Sequence, residues 1–174
     1  AIIWKLDATI ANLTGQWTGL NFAGPQSREV LAPHTDIDLS SEAFPFPAVR
    51  RGTVAGAPAL VMRVGFVGEL GYEIHVPASY GMHVWQTLWG AGQAAAVRAF
   101  GVEAQRLLRL EKGHLIVSQD TDALTTPAEA DLEWALAKKP FFVGQRSLEI
   151  AAKHPLSRKL VGFQLARGFN GPWP

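Results

Sequence analysis

Two apolar runs, Leu60 to Val67 and Tyr72 to Val76, meet across the four-residue stretch G-E-L-G, Gly68 to Gly71, and this restricts the fold more than any other feature of the chain. A strand alternates its side chains with a period of two. Leu60, Met62, Val64 and Phe66 therefore share one face of the first run, and Val61, Arg63, Gly65 and Val67 share the other. Both faces are largely apolar, which predicts a central strand. Past the turn, Tyr72, Ile74 and Val76 point one way while Glu73 and His75 point the other. Upstream, Val49 to Val54 reads as the hairpin partner of Leu60 to Val67, joined through A-G-A-P. A glutamate inside an apolar strand, on a defined face, is the feature that any function must explain.

The remaining segments alternate between the two periods. Trp17 to Ala23 reads as a strand, and Gly24-Pro25 turns it into a short helix, capped near Gln26 or Ser27 and stopped by Pro33. Asp38 or Ser40 caps a single turn around Glu42, and Pro45 and Pro47 force extended chain after it. Pro77 and Ser79 open a helix carrying Val84, Trp85, Leu88 and Ala91 at helical spacing, which ends at Gly90 or Gly92. A short strand is expected at residues 95–98. A second helix follows, with Val102, Leu107 and Leu110 on one stripe, its charges mixed and partly solvated and Gly113 as its stop. A helix with Pro127 in its first turn, another from about Gly144 to Lys153, and a strand-like L-V-G-F-Q-L-A complete the chain. The order predicts an α+β fold, a mostly antiparallel sheet with packed helices.

Composition excludes several function classes. The 174 residues suit one well-buried core, with 48% hydrophobic and 18% charged residues. Sixteen Lys and Arg against fifteen Asp and Glu leave a net charge of +1 with both signs dispersed. That is not the basic field that nucleic acid or an anionic membrane requires. The absence of cysteine removes thiol catalysis, disulfides and thiolate metal sites, and fits a reducing compartment, the cytoplasm by default. No apolar run approaches the roughly 20 residues of a membrane helix. The chain starts at Ala1 without a methionine, so it is expected to be a piece of something longer.

Candidate chemistry narrows to Glu73. The glycines of G-F-V-G-E-L-G are spaced G-x-x-G-x-x-G and precede a strand, whereas a dinucleotide cradle needs G-x-G-x-x-G opening a helix. They read as a tight turn instead. His34, His75, His83, His114 and His154 never fall at ligand spacing, so no metal is expected. Asp120 and Asp122 lie in a D-T-D-A-L-T-T segment without the glycine or terminal glutamate of a calcium loop, and read as turn and capping groups. No G-x-S-x-G is present. Trp85, Trp89 and Trp134 read as packing. Glu73 itself admits two readings: a solvent-facing strand position, or a carboxylate at the edge of an apolar pocket that accepts two N–H bonds from a planar amino-heterocycle.

Four ordered blocks carry a family resemblance: F-A-G-P-Q-S-R-E-V-L-A, the segment from Arg63 through Gln93, the segment from Ala99 through Leu136, and K-K-P-F-F-V-G-Q-R-S-L. Together, from Trp17 to Leu148, they resemble the folate-binding region shared by glycine cleavage T-protein (aminomethyltransferase), dimethylglycine and sarcosine dehydrogenases, and the α subunit of heterotetrameric sarcosine oxidase. The run L-R-L-E-K-G-H-L-I-V-S-Q-D-T-D-A-L-T-T-P looks most like the C-terminal region of sarcosine oxidase α, because T-proteins usually carry alanine where Lys112 stands.

The resemblance implies the aminomethyltransferase folate-binding fold and a tetrahydrofolate site. The second glutamate of the family's G-E-x-G-x-E turn, which hydrogen-bonds the pterin, falls at Glu73. Phe66, where many relatives have tyrosine, and Phe46 are candidates for the pocket wall. Gln105 stands where T-proteins carry an arginine that approaches the folate. The family's catalytic aspartate lies upstream of the matched blocks, so no catalytic residue is assigned here, and Asp7 has no supporting motif. The implied reaction forms 5,10-methylenetetrahydrofolate from an N-methyl or iminium-derived one-carbon unit, with folate and other sarcosine oxidase subunits as partners. Residues 1–157 would be a partial folate-binding domain and residues 158–174 the start of a C-terminal β-barrel. The alternatives are a stand-alone aminomethyltransferase and a non-catalytic folate-binding or assembly module.

Overall fold

The computed structural model describes residues 7–138 and 141–164, with Lys5 and Gly168. The chain packs as two compact units, Ala1–His114 and Leu115–Pro174. One core was expected from length. The buried apolar cluster lies wholly in the first unit, and Ala130 is the one buried apolar residue among the described residues of the second.

The first unit is α+β. Its elements run β1 (Trp17–Ala23), α1 (Ser27–Leu31), β2 (Ala48–Val54), β3 (Ala57–Arg63), β4 (Gly71–Pro77), α2 (Gly81–Ala91) and α3 (Val102–Lys112), and the four strands form one antiparallel sheet in the order β1-β4-β3-β2. The β2–β3 hairpin closes on two residues, Ala55 and Gly56, both at positive φ (52° and 76°), as the right-handed strand twist favours. That tight closure moves β3 three residues earlier than expected. The strand starts at Ala57, tolerates Pro58 where only β2 is paired with it, and stops at Arg63. Val64 and Phe66 consequently lie beyond the strand, in the loop that leads to β4.

Within that loop Gly65 is constrained by packing. A Cβ there would stand 2.7 Å from the backbone carbonyl oxygen of Glu69, so the turn closes only around a glycine.

The period-two reading of β4 holds. Tyr72, Ile74 and Val76 are fully or almost fully buried, and alternate with half-buried Glu73 and His75. The buried side packs with Val54, Val61, Leu31 of α1, Val84 and Leu88 of α2, and Phe44 and Leu39 of the intervening loop. Each of those larger apolar side chains contributes about 1.5–3 kcal/mol when removed from water. The Asp38–Glu42 turn is present: Asp38 Oδ1 accepts from Ser40 N at 2.8 Å and Ser40 Oγ accepts from Ala43 N at 3.2 Å.

Several expectations fail for stated reasons. Pro33 does not stop the first helix outright, since a 3-10 turn at Ala32–His34 carries the chain through it. Residues 95–98 form no strand: a 3-10 turn at Gly92–Ala95 ends at left-handed Ala96, and Val97 packs on Gly92 too closely for a Cβ there. The apolar stripe of α3 is exposed at Val102, Leu107 and Leu110, and the buried residue is Arg109. Gly113 does end α3, at φ +83°. Trp85, Trp89 and Trp134 are all exposed rather than packed inside.

The second unit is largely irregular. Residues 127–131 form turns where a helix was expected, followed by a 3-10 turn at Glu133–Ala135 and by α4 (Gln145–Ala151). Residues 160–164 of the strand-like terminal segment are irregular, and its last part lies outside the described residues. Arg158 organises this unit. Its guanidinium donates to Glu129 Oε1 at 2.8 Å and to Asp122 at 3.1 and 3.3 Å, and Leu160 N donates to Glu129 O at 2.7 Å.

Candidate functional site

One face of the sheet is covered by the core and the other carries Glu73. Antiparallel partners point to the same side, so the register builds two cross-strand rows on the uncovered face. The first reads Asn21, Glu73, Met62, Val49 and the second Gly19, His75, Leu60, Arg51. Among the side chains of these rows, Glu73 and His75 keep 38% and 33% of their exposure, and His75 Nε2 lies 3.6 Å from Glu73 Oε2.

Gly19 of β1 lies across from His75. A Cβ at position 19 would stand 3.4 Å from both Cε1 and Nδ1 of His75, an ordinary van der Waals contact, so the imidazole lies packed on β1 at this position. The Nε2 atom is shielded from solvent and makes no hydrogen bond among the described residues. An ionised carboxylate only accepts, and it has lone pairs to spare beside this ring. What the arrangement can do chemically is receive the N–H groups of a planar ligand on the open side of Glu73.

Phe66 and Phe46 gather elsewhere, around the glycine loop. The Phe66 ring stacks on His114, with centroids 5.9 Å apart at 25°, and its carbonyl lies 2.9 Å from His114 Nδ1. A carbonyl accepts only, so Nδ1 carries the proton of that bond. Arg109 supports the same turn: it is buried in α3 and donates from a terminal nitrogen to the His114 carbonyl at 3.0 Å. Phe46 is exposed and lines a shallow cavity of about 350 Å³ with Gly65, Gly68, Lys112 and His114.

Gln105 occupies a third place. It lines a cavity of about 260 Å³ at the β1 edge with Asn21, Phe22, Trp85, Trp89 and Phe100, and the two tryptophan rings there are stacked at 6.1 Å and 10°. Asn21 is the link, since it borders this cavity and is also the β1 partner of Glu73. Asn21 thus neighbours both Glu73 and the Gln105 cavity, which Glu73 itself does not line, and Phe46 groups with the loop that carries Phe66.

Sequence reading missed His75 as the partner of Glu73, together with Asn21, Arg109 and His114. The period of two already placed His75 on the Glu73 face. The opposing Gly19 needed the register. Among the described residues, no group of three or more His, Asp or Glu side chains stands close enough to hold a metal, and no helix is long and apolar enough to cross a membrane.

Residues 2–140 match the GCVT N-terminal domain. The chain is 41% identical over 145 residues to sarcosine oxidase subunit alpha of Corynebacterium sp. strain U-96, which covers 82% of this chain and 15% of that protein. It is 37% identical over 157 residues to the aminomethyltransferase of Halothermothrix orenii, covering 90% and 43%, and 33% identical over 162 residues to human mitochondrial dimethylglycine dehydrogenase, covering 92% and 19%. Among solved structures, heterotetrameric sarcosine oxidase from Corynebacterium sp. U-96 in complex with pyrrole 2-carboxylate aligns with a TM-score of 0.47 at 22% identity, over 53% of this chain and 46% of that one. The chain spans less than half the length of each of these relatives.

Proposed function

Because the chain belongs to the GCVT N-terminal domain family, we propose that it is the tetrahydrofolate-binding, one-carbon transfer region of a sarcosine oxidase α-like protein. The observation that carries this reading is Glu73, a partly exposed carboxylate on the uncovered sheet face, flanked by Asn21 and Met62. A planar amino-heterocycle presents adjacent N–H donors, and a carboxylate meets such an edge with paired, charge-assisted bonds. The donor set therefore fits a pterin. When bound, tetrahydrofolate supplies N5 and N10, which together take up the one-carbon unit as 5,10-methylenetetrahydrofolate while both N–H protons leave on the released amine.

The chain's own part is to bind and orient. Glu73 anchors the heterocycle, and Gln105 with the aromatic cavity at the β1 edge receives the rest of the ligand. Positioning of this kind is how a bimolecular condensation becomes effectively unimolecular. On this reading residues 1–157 belong to the folate-binding domain and residues 158–174 begin a C-terminal β-barrel, with folate and other oxidase subunits as partners.

The test is an anaerobic titration of the chain with tetrahydrofolate, followed by calorimetry. Saturable binding that Glu73→Gln weakens about tenfold, or about 1.4 kcal/mol, is the expected result. Absence of binding by the folded wild-type chain overturns it. One observation favours a second reading, a non-catalytic assembly module: α3 presents Val102, Leu107 and Leu110 at 64%, 65% and 57% exposure. That reading predicts association through α3 that Leu107→Glu abolishes, with no folate binding.

A further inference from the structure

We infer that His75 is a positioning residue for Glu73: its Nε2–H donates to Glu73 Oε2 and fixes which side of the carboxylate faces the ligand. The inference deepens the folate reading and rests on it for the identity of the ligand, but not for the pairing itself. Three features of the structure point to it. The two atoms stand 3.6 Å apart on one sheet face, a few tenths of an ångström beyond hydrogen-bond reach. Nε2 is shielded from water and has no other hydrogen-bond partner among the described residues, and a shielded polar nitrogen is costly unless it is paired. The ring is seated on β1 opposite Gly19, where an added Cβ would meet Cε1 and Nδ1 at 3.4 Å, an ordinary packing contact.

The chemistry selects one tautomer. With the proton on Nδ1, Nε2 would turn a lone pair toward a carboxylate that has only lone pairs. With the proton on Nε2, a small rotation of the Glu73 carboxylate completes the bond. Oε2 is then held through one lone pair, and its second lone pair and Oε1 stay free for the paired N–H edge of the ligand, so the carboxylate enters binding with its orientation already set and loses less rotamer freedom. The other charged group of the two rows, Arg51, is separated from His75 by Leu60 and does not compete for Oε2.

Two measurements on the 174-residue chain test this. Ring ¹⁵N–¹H correlation spectra at neutral pH are expected to show His75 protonated at Nε2, with the tautomers mixing in Glu73→Leu. A His75 protonated only at Nδ1 overturns the inference. Calorimetric titration with tetrahydrofolate is expected to show about tenfold weaker binding by His75→Phe, which keeps a ring and loses the donor. His75→Gln, which restores an N–H at similar reach, is expected to recover most of that loss. Wild-type affinity in a folded His75→Phe chain also overturns the inference. If the wild type binds no tetrahydrofolate, the functional reading fails, and the ring spectra alone decide for or against the His75–Glu73 pair.

Discussion

The two faces of β4 are built from alternate residues of one strand and share every backbone bond, yet they differ in what holds them. On one side Ile74 and Val76 are fully buried among Val61, Val84 and Leu31. On the other, Glu73 and His75 stay partly open, 3.6 Å from each other. The covered side supplies stability in proportion to the apolar area it removes from water, and the open side spends almost none of it. The sheet can therefore present a carboxylate without burying one, because the adjacent residues in sequence have already secured the strand.

That contrast can be broken from the covered side first. Ile74→Ala should cost about 2–4 kcal/mol, the usual penalty for an aliphatic cavity in a packed core, read as a lower midpoint in urea unfolding. An Ile74→Ala chain as stable as the wild type would mean that β4 is not the centre of the core. Next in size, Gly65→Ala forces a Cβ against the Glu69 carbonyl and should cost about 1–3 kcal/mol. Its thermal midpoint would fall, and the His114 ring, stacked on Phe66, would show altered chemical shifts.

A third test asks whether charge can hold what packing does not. In the second unit Asp122 is held well below the usual carboxylate range, chiefly by the Arg158 side chain, and Glu129 is lowered chiefly by the Thr126 backbone N–H and then by Arg158. Folded values below the unfolded ones give stability that is complete above about pH 5 and is lost as pH falls through the lowered folded values. Arg158→Gln should therefore differ from wild type at neutral pH and converge with it in strong acid, followed by Trp134 fluorescence. A difference that grows in acid would reverse the sign and refute the assignment. The smallest effect belongs to the open face. Glu73→Gln should change stability by no more than about 0.5 kcal/mol, and a large loss would show that Glu73 serves the fold rather than a ligand.

Legibility followed locality. The β4 alternation, the turn at residues 68–71, the Gly113 stop and the antiparallel α+β class were readable, because each depends on neighbours within a few residues. The β3 boundary was not, since a two-residue hairpin closure and a strand end at Arg63 look no different in composition from a longer run. The α3 stripe left its facing open for a similar reason: Val102, Leu107 and Leu110 have helical spacing, but spacing alone does not say which side is buried, and that place fell to Arg109. The family blocks pointed to Glu73, Phe66, Phe46 and Gln105, yet said nothing of their grouping around three separate features.

By itself the sequence determined that Glu73 would sit on the face opposite Tyr72, Ile74 and Val76, because side-chain direction in a strand depends only on parity. Only the tertiary structure decided what stands beside it. Gly19 lies 56 positions before His75, and their opposition exists only through the β1–β4 register. The contact that seats the imidazole on β1 is a property of two paired strands, and neither strand carries it alone.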